Sequence, residues 1–181
     1  GWGAGRDLAA VMKVILEART PAVFDADALN LLSRVPSLRI GTKEAILTPH
    51  IGEAVRLFEA RNLSMPQERS AAALMLAREY GAVVILKGPQ SVVAAPDGRY
   101  AVNSSGTPAL GICGSGDVLS GVAGAFLAMG HAAYDAARMA VFIHGMAGDV
   151  VPQRGLIADD LPKLIRDAIG TLQNRATLRD V

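Results

Sequence analysis

Short apolar runs that stop abruptly at polar residues, separated by stretches of helical periodicity, constrain this chain more than any other feature. Ala22-Val23-Phe24 ends at Asp25 and Asp27, Ala45-Ile46-Leu47 at Thr48-Pro49-His50, and Ala82 to Leu86 at Lys87-Gly88. Runs this short and apolar read as strands buried on both faces, which requires helices on each side of a mainly parallel sheet. The helical segments fall between them. Leu8, Val11, Met12, Ile15 and Leu16 recur at helical spacing after Asp7, a candidate N-cap. Ala28 to Leu32 reads as a short helix closed by Pro36, and a further helix is expected from Gly52 to Phe58. Ser64-Met65-Pro66-Gln67 has the S-x-x-Q spacing of a capping box and predicts a helix from there to Tyr80.

After Leu86 the pattern changes. Val92 to Ala95 and Tyr100 to Val102 flank Pro96-Asp97-Gly98-Arg99, a hairpin signal. Three helical patterns complete the chain, at Asp117 to Met129, Ala133 to Val151 and Leu161 to Leu172. Alternating strands and helices with one hairpin define an α/β fold with a mainly parallel sheet and an antiparallel addition. With 181 residues, 51% hydrophobic and 19% charged, the chain has the core of one domain, and it is not a disordered segment. A net charge of +1 argues against a nucleic-acid binder, which needs clustered Lys and Arg to neutralise phosphates. Apolar stretches such as Val118 to Met129 are too short to span a bilayer, so no membrane association is expected. The single cysteine, Cys113, excludes an internal disulfide and suits a reducing, cytoplasmic setting. His50, His131, His144 and Cys113 share no local ligand spacing, so no protein-held metal is expected.

In an open α/β sheet the ligand site lies beyond the carboxyl ends of the strands. Asp25/Asp27, Thr48/His50 and Lys87/Ser91 all fall at that edge. The most informative segment is Gly111-Ile112-Cys113-Gly114-Ser115-Gly116-Asp117, followed directly by an apolar helix. Glycines and a serine ahead of a helix let backbone N–H groups converge at the positive end of its dipole, where a phosphate or an oxyanion binds. Asp117 falls in the first turn, within reach of such a group. The same residues also suit a plain turn and helix cap, and spacing alone does not separate the two.

Taken together, several segments resemble the ADP/ATP-dependent NAD(P)H-hydrate dehydratases, a branch of the ribokinase-like superfamily. They are Gly1 to Gly5, Val23-Phe24-Asp25-Ala26-Asp27-Ala28-Leu29-Asn30, Leu47-Thr48-Pro49-His50-Ile51-Gly52-Glu53 and Leu86-Lys87-Gly88-Pro89-Gln90-Ser91. Asn103 to Gly106, Gly114-Ser115-Gly116-Asp117-Val118-Leu119 and His144-Gly145-Met146-Ala147-Gly148-Asp149 continue the match in the same order. The G-S-G-D element is shared across ribokinase-like enzymes, whereas the D-A-D-A-L-N and T-P-H-x-G-E segments single out the dehydratase branch.

The resemblance implies a ribokinase-like three-layer sandwich over residues 1–181, with the family's first strands and helices absent before Gly1 and a strand edge open near Ala22 to Phe24. It implies transfer of a phosphoryl group from ADP or ATP to the C6 hydroxyl of hydrated NADH or NADPH, followed by loss of phosphate. Asp117 would be the base, and Gly114, Ser115 and Gly116 the anion hole. Lys87, Gly88, Pro89, Gln90 and Ser91, with Gly116, would hold the nucleotide. Gly3, His50, Asp27, Asn30 and Asp117 would meet the hydrated dinucleotide. Mg²⁺ would arrive with the nucleotide, and a homo-oligomer, commonly a tetramer, is expected. Two other readings share these residues: a ribokinase-like kinase of a small hydroxylated metabolite, and an inactive nucleotide-binding or assembly module.

Overall fold

A computed structural model describes residues 6–35, 37–42, 44–151 and 155–177. The elements run α1 (Arg6–Glu17), β1 (Ala22–Phe24), α2 (Asp27–Arg34), β2 (Ala45–Leu47), α3 (Ile51–Glu59), α4 (Arg69–Tyr80), β3 (Val83–Leu86), β4 (Val92–Ala94), β5 (Tyr100–Val102), α5 (Ser115–Ala128), α6 (Ala133–Asp149) and α7 (Leu161–Thr177). The sheet order is β1-β2-β3-β4-β5. β1, β2 and β3 are parallel, with Phe24 opposite Leu47 and Leu47 opposite Val84. β4 pairs antiparallel with β3, and β5 antiparallel with β4.

Each strand has two faces, because successive side chains point to opposite sides. Phe24, Leu47, Val84, Leu86 and Val92 join Leu29, Leu57, Phe58 and Leu76 in one core layer. Ile46, Val83, Ile85 and Val93, one residue out of step, join Leu119, Ala123 and Ala137 in the other. α7 lies outside that second layer, where Leu161 and Ile165 bury against Ile143 and Ala147. The expected double burial of β2 and β3 is met at every residue, and truncating a side chain such as Leu47 to Ala should cost about 2–5 kcal/mol. The sandwich layering and the hairpin agree with the sequence reading. Among the described residues, β1 and β5 form the two edges of the sheet. No described helix is long and apolar enough to cross a membrane.

Two helices begin elsewhere than expected. α1 already includes Arg6, so Asp7 lies inside its first turn and is not its N-cap. Ser64 to Gln67 is not a helix cap: α4 starts at Arg69, and Glu68 caps it by accepting from the N–H groups of Ser70 (2.9 Å) and Ala71 (2.6 Å). A carboxylate that accepts two amides and the Ser70 hydroxyl at 2.6 Å outcompetes a serine hydroxyl for the same duty.

Candidate functional site

The carboxyl ends of the parallel strands are tied together before any side chain is considered. Thr48 N–H donates to Phe24 O at 3.1 Å and Lys87 N–H to Pro49 O at 2.8 Å, so the three polar strand ends share one edge. Across it, Lys87 Nζ meets Asp25 Oδ1 at 2.8 Å, with side chains only 20% and 15% exposed. The Ser120 hydroxyl donates to Asp25 Oδ2 at 2.9 Å, and Ala26 N–H to Oδ1 at 2.9 Å. Burial alone would raise the Asp25 carboxyl. The Lys87 hydrogen bond and charge, with the Ser120 and Thr48 hydroxyls, outweigh it and hold the group below the ordinary aspartate value. Ala26, at φ 47° and ψ −112°, turns the chain sharply between Asp25 and Asp27. Such a conformation costs a non-glycine residue about 1–3 kcal/mol.

Above this pair sits the start of α5. Gly114 is its N-cap, in the left-handed region at φ 84°, and no side chain caps the helix. A Cβ at Gly114 would also lie 2.8 Å from that of Ala158, so glycine is required twice over. Ser115 N–H reaches Ile112 O at 3.3 Å, but the N–H groups of Gly116 and Asp117 have no acceptor among the described residues. Gly116 faces the ion pair: a Cβ there would stand 3.4 Å from Lys87 Nζ and 3.6 Å from Asp25 Oδ2. Two open amides at the positive end of a helix dipole therefore lie beside an ammonium group, an arrangement that suits an anion. Asp117 is exposed in the same first turn.

The remaining predicted residues distribute around this edge. Gly88, Pro89 and Gln90 form an exposed turn after β3, with Gln90 at φ 52°. Ser91 closes that turn, its hydroxyl lying 3.0 Å from Gly88 O and 3.3 Å from Gly88 N. Arg69 supports it from below, donating to Leu86 O at 3.0 Å. His50 is the N-cap of α3. Its Nδ1 accepts from Gly52 (3.0 Å) and Glu53 (3.3 Å), while Glu53 Oε2 accepts from His50 N–H at 2.8 Å. With Nδ1 committed as acceptor, the neutral ring carries its proton on Nε2, the remaining donor. Asp27 opens α2, and Asn30, one turn on, accepts from Arg56 Nε at 3.1 Å. Gly3 lies outside the described residues. The site lies at the carboxyl edge of the sheet. Concavities of about 410 and 360 Å³ lie elsewhere, beside Asp160 and Lys163 and beside Val102 and Phe142.

Three residues make contacts here that the sequence does not reveal. Asp25 is visible in the sequence only as one more strand-end carboxylate, and nothing there pairs it with Lys87. Ser120 sits inside an apolar helix with no signal at all. His144, which the sequence marks only as a histidine without ligand spacing at the head of the His144–Asp149 segment, is buried with Nε2 at 3.2 Å from Ser115 Oγ and 3.1 Å from Ser115 O.

Helices on both faces of a mainly parallel sheet, extended by an antiparallel hairpin, make a ribokinase-like fold. A solved ribokinase-like superfamily protein from Enterococcus faecalis has the same fold, with a TM-score of 0.71 over 92% of this chain and 60% of that one at 23% identity. Within that class the chain belongs to the NAD(P)H-hydrate dehydratase family, whose model matches residues 1–170. It is 40% identical over 183 residues to an ADP-dependent (S)-NAD(P)H-hydrate dehydratase of Neisseria meningitidis, covering 98% of this chain and 62% of the relative. It is also similar to the ADP/ATP-dependent NAD(P)H-hydrate dehydratase of Bacillus subtilis, co-crystallised with ATP/Mg²⁺ and soaked with CoA. The TM-score is 0.75 and the identity 29%, over 87% of this chain and 58% of that one. The chain thus spans less than two thirds of the length of each of these relatives.

Proposed function

We propose that the protein, as one ribokinase-like domain over residues 1–181, restores NADH or NADPH from the hydrated dinucleotide at the expense of ADP or ATP. The observation that carries this reading is the pair of open amides at Gly116 and Asp117 facing Lys87, combined with membership of the family. The terminal phosphoryl group of the nucleotide would move to the C6 hydroxyl of the hydrate, whose proton passes to the Asp117 carboxylate. Phosphate then leaves C6, a proton leaves C5, and the ring double bond returns. Negative charge on the transferred oxygens would be met by the Gly114–Gly116 segment and by Lys87.

The turn from Lys87 to Ser91, braced by Arg69, is proposed to hold the nucleotide. A divalent cation would travel with the nucleotide's phosphate oxygens. Among the described residues no three His, Cys, Asp or Glu side chains converge as a cage of their own. His50 Nε2, Asp27, Asn30 and Gly3 are proposed to meet the hydrated dinucleotide, and the guanidinium of Arg56 beside Asn30 suits its phosphates. A homo-oligomer, a tetramer, is proposed as well. Tyr100 and Val102, exposed at 52% and 51% on edge strand β5, support that part.

The test is incubation with hydrated NADH and ADP or ATP. Return of the dihydronicotinamide absorbance, with one phosphate released per molecule restored, is the expected result. Nucleotide binding without that recovery would contradict the reading and leave the binding-module alternative. A stable phosphorylated small alcohol formed instead would favour the kinase.

A further inference from the structure

Among the described residues near the anion site, one buried titratable side chain has no part in the chemistry described so far. His144 lies on α6, 29 residues from Ser115 in sequence, and is 8% exposed. Its Nε2 stands 3.1 Å from Ser115 O and 3.2 Å from Ser115 Oγ. Of the two neutral tautomers, the one with its proton on Nε2 lets that atom donate to Ser115 O, which can only accept, and we assign it. Burial lowers the imidazole below its ordinary value, partly offset by this same bond, which keeps the ring neutral and a single-proton donor.

The bonded carbonyl is the other end of the anion site's own amide. Ser115 C=O and Gly116 N–H belong to one planar trans peptide, in which the two groups point in opposite directions. Fixing the carbonyl toward His144 therefore fixes the N–H toward the opposite side. That bond also draws electron density from the carbonyl, which strengthens the N–H as a donor. At the far side of the same residue stands Lys87 Nζ, 3.4 Å from where a Gly116 Cβ would be.

We propose that His144 is a positioning residue that aims and polarises the Gly116 amide for the phosphoryl group. The inference rests on the reading that this amide meets a phosphate. The contact requires a planar, neutral N–H donor at the reach of Nε2. Glutamine offers one at similar reach, whereas leucine fills the space and offers none.

The test uses the full chain, isotopically labelled, with inorganic phosphate as the probe. In the wild type, the His144 nitrogen shifts should show a protonated Nε2 and a bare Nδ1. Phosphate should move the Gly116 amide resonance. In His144→Leu that resonance should shift upfield and phosphate affinity should fall about tenfold, while His144→Gln stays within about threefold of wild type. Thermal midpoints of both variants separate this pattern from a loss of packing, which would strike Gln and Leu alike. Where the chain turns over hydrated NADH, kcat should fall in the Leu variant with KM for the nucleotide changed less.

A proton on Nδ1 in the wild type, a reading that needs no variant to fold, would overturn the inference. So would a Gly116 amide indifferent to phosphate, or equal losses in the Gln and Leu variants. Absence of dehydration by the wild type, with the amide responses intact, would count against the proposed activity and leave this inference standing.

Discussion

Helices α3 and α5 both begin at the carboxyl edge of the sheet, and they solve the problem of their first N–H groups in opposite ways. α3 is closed from within: His50 Nδ1 takes two amides and Glu53 returns the favour to His50 N–H. α5 starts at a left-handed glycine with no side-chain cap, and its Gly116 and Asp117 amides stay open beside an ammonium group. α4, closed by Glu68, resembles α3. A helix whose start is already satisfied by its own side chains is a structural unit. One whose start is left open, next to a lysine held in place by a carboxylate, leaves its dipole and amides to an outside anion. The difference resides at the N-cap, where Gly114 has no side chain to accept the amides that His50 and Glu68 take.

The comparison breaks most visibly at Asp117. Asp117→Asn should keep nucleotide binding while turnover falls about 10³-fold, in the range expected for removal of a general base. Equal activity in the two proteins would remove Asp117 from the mechanism.

Next in size is Lys87→Ala. It should weaken phosphate binding and also destabilise the fold by about 2–4 kcal/mol, because Asp25 is left largely buried without its cation. Adding Asp25→Asn should recover most of the stability, read by urea unfolding, without recovering phosphate affinity. Recovery of both would mean that the ion pair serves the fold alone.

Smaller effects appear with pH. His144 is held below the ordinary imidazole value, so the unfolded chain takes up a proton that the folded one refuses. Stability should therefore fall as pH drops through the ordinary imidazole range, and His144→Gln should flatten that slope. Asp25 is held below the ordinary aspartate value, so its contribution is complete above that range and is lost as pH falls toward its folded value. Asp25→Asn, combined with Lys87→Ala, should flatten this lower limb. Unfolding midpoints taken across both ranges check the two signs separately.

The smallest change is expected at the closed helix starts. Glu68→Ala should lower the urea-unfolding midpoint only slightly and leave turnover unaltered. A loss of turnover would show that α4 and its Arg69 contact with the Leu86 carbonyl reach the nucleotide turn.

Local patterns in the chain were sufficient to read the layers. Val83 to Leu86 is apolar at every position because both its faces are covered, and Pro96 to Arg99 carries its turn chemistry in four consecutive residues. The start of α5 was legible for the same reason, since its glycines adjoin the helix they open. Ser64-x-x-Gln67 misled because a capping box is a spacing, and Glu68 offered a stronger acceptor one residue later. The Asp25–Lys87 pair joins residues 62 apart, and His144 reaches Ser115 across 29. Each is made by the stacking of elements, which leaves no periodic trace in the sequence.

The proposed chemistry requires the open start of α5 to receive phosphate. A crystal soaked with inorganic phosphate tests it most directly. The ion should accept hydrogen bonds from the Gly116 and Asp117 amides, with Lys87 Nζ at its side. Phosphate bound elsewhere while those amides face solvent, or Lys87 still engaged with Asp25 alone, would contradict it.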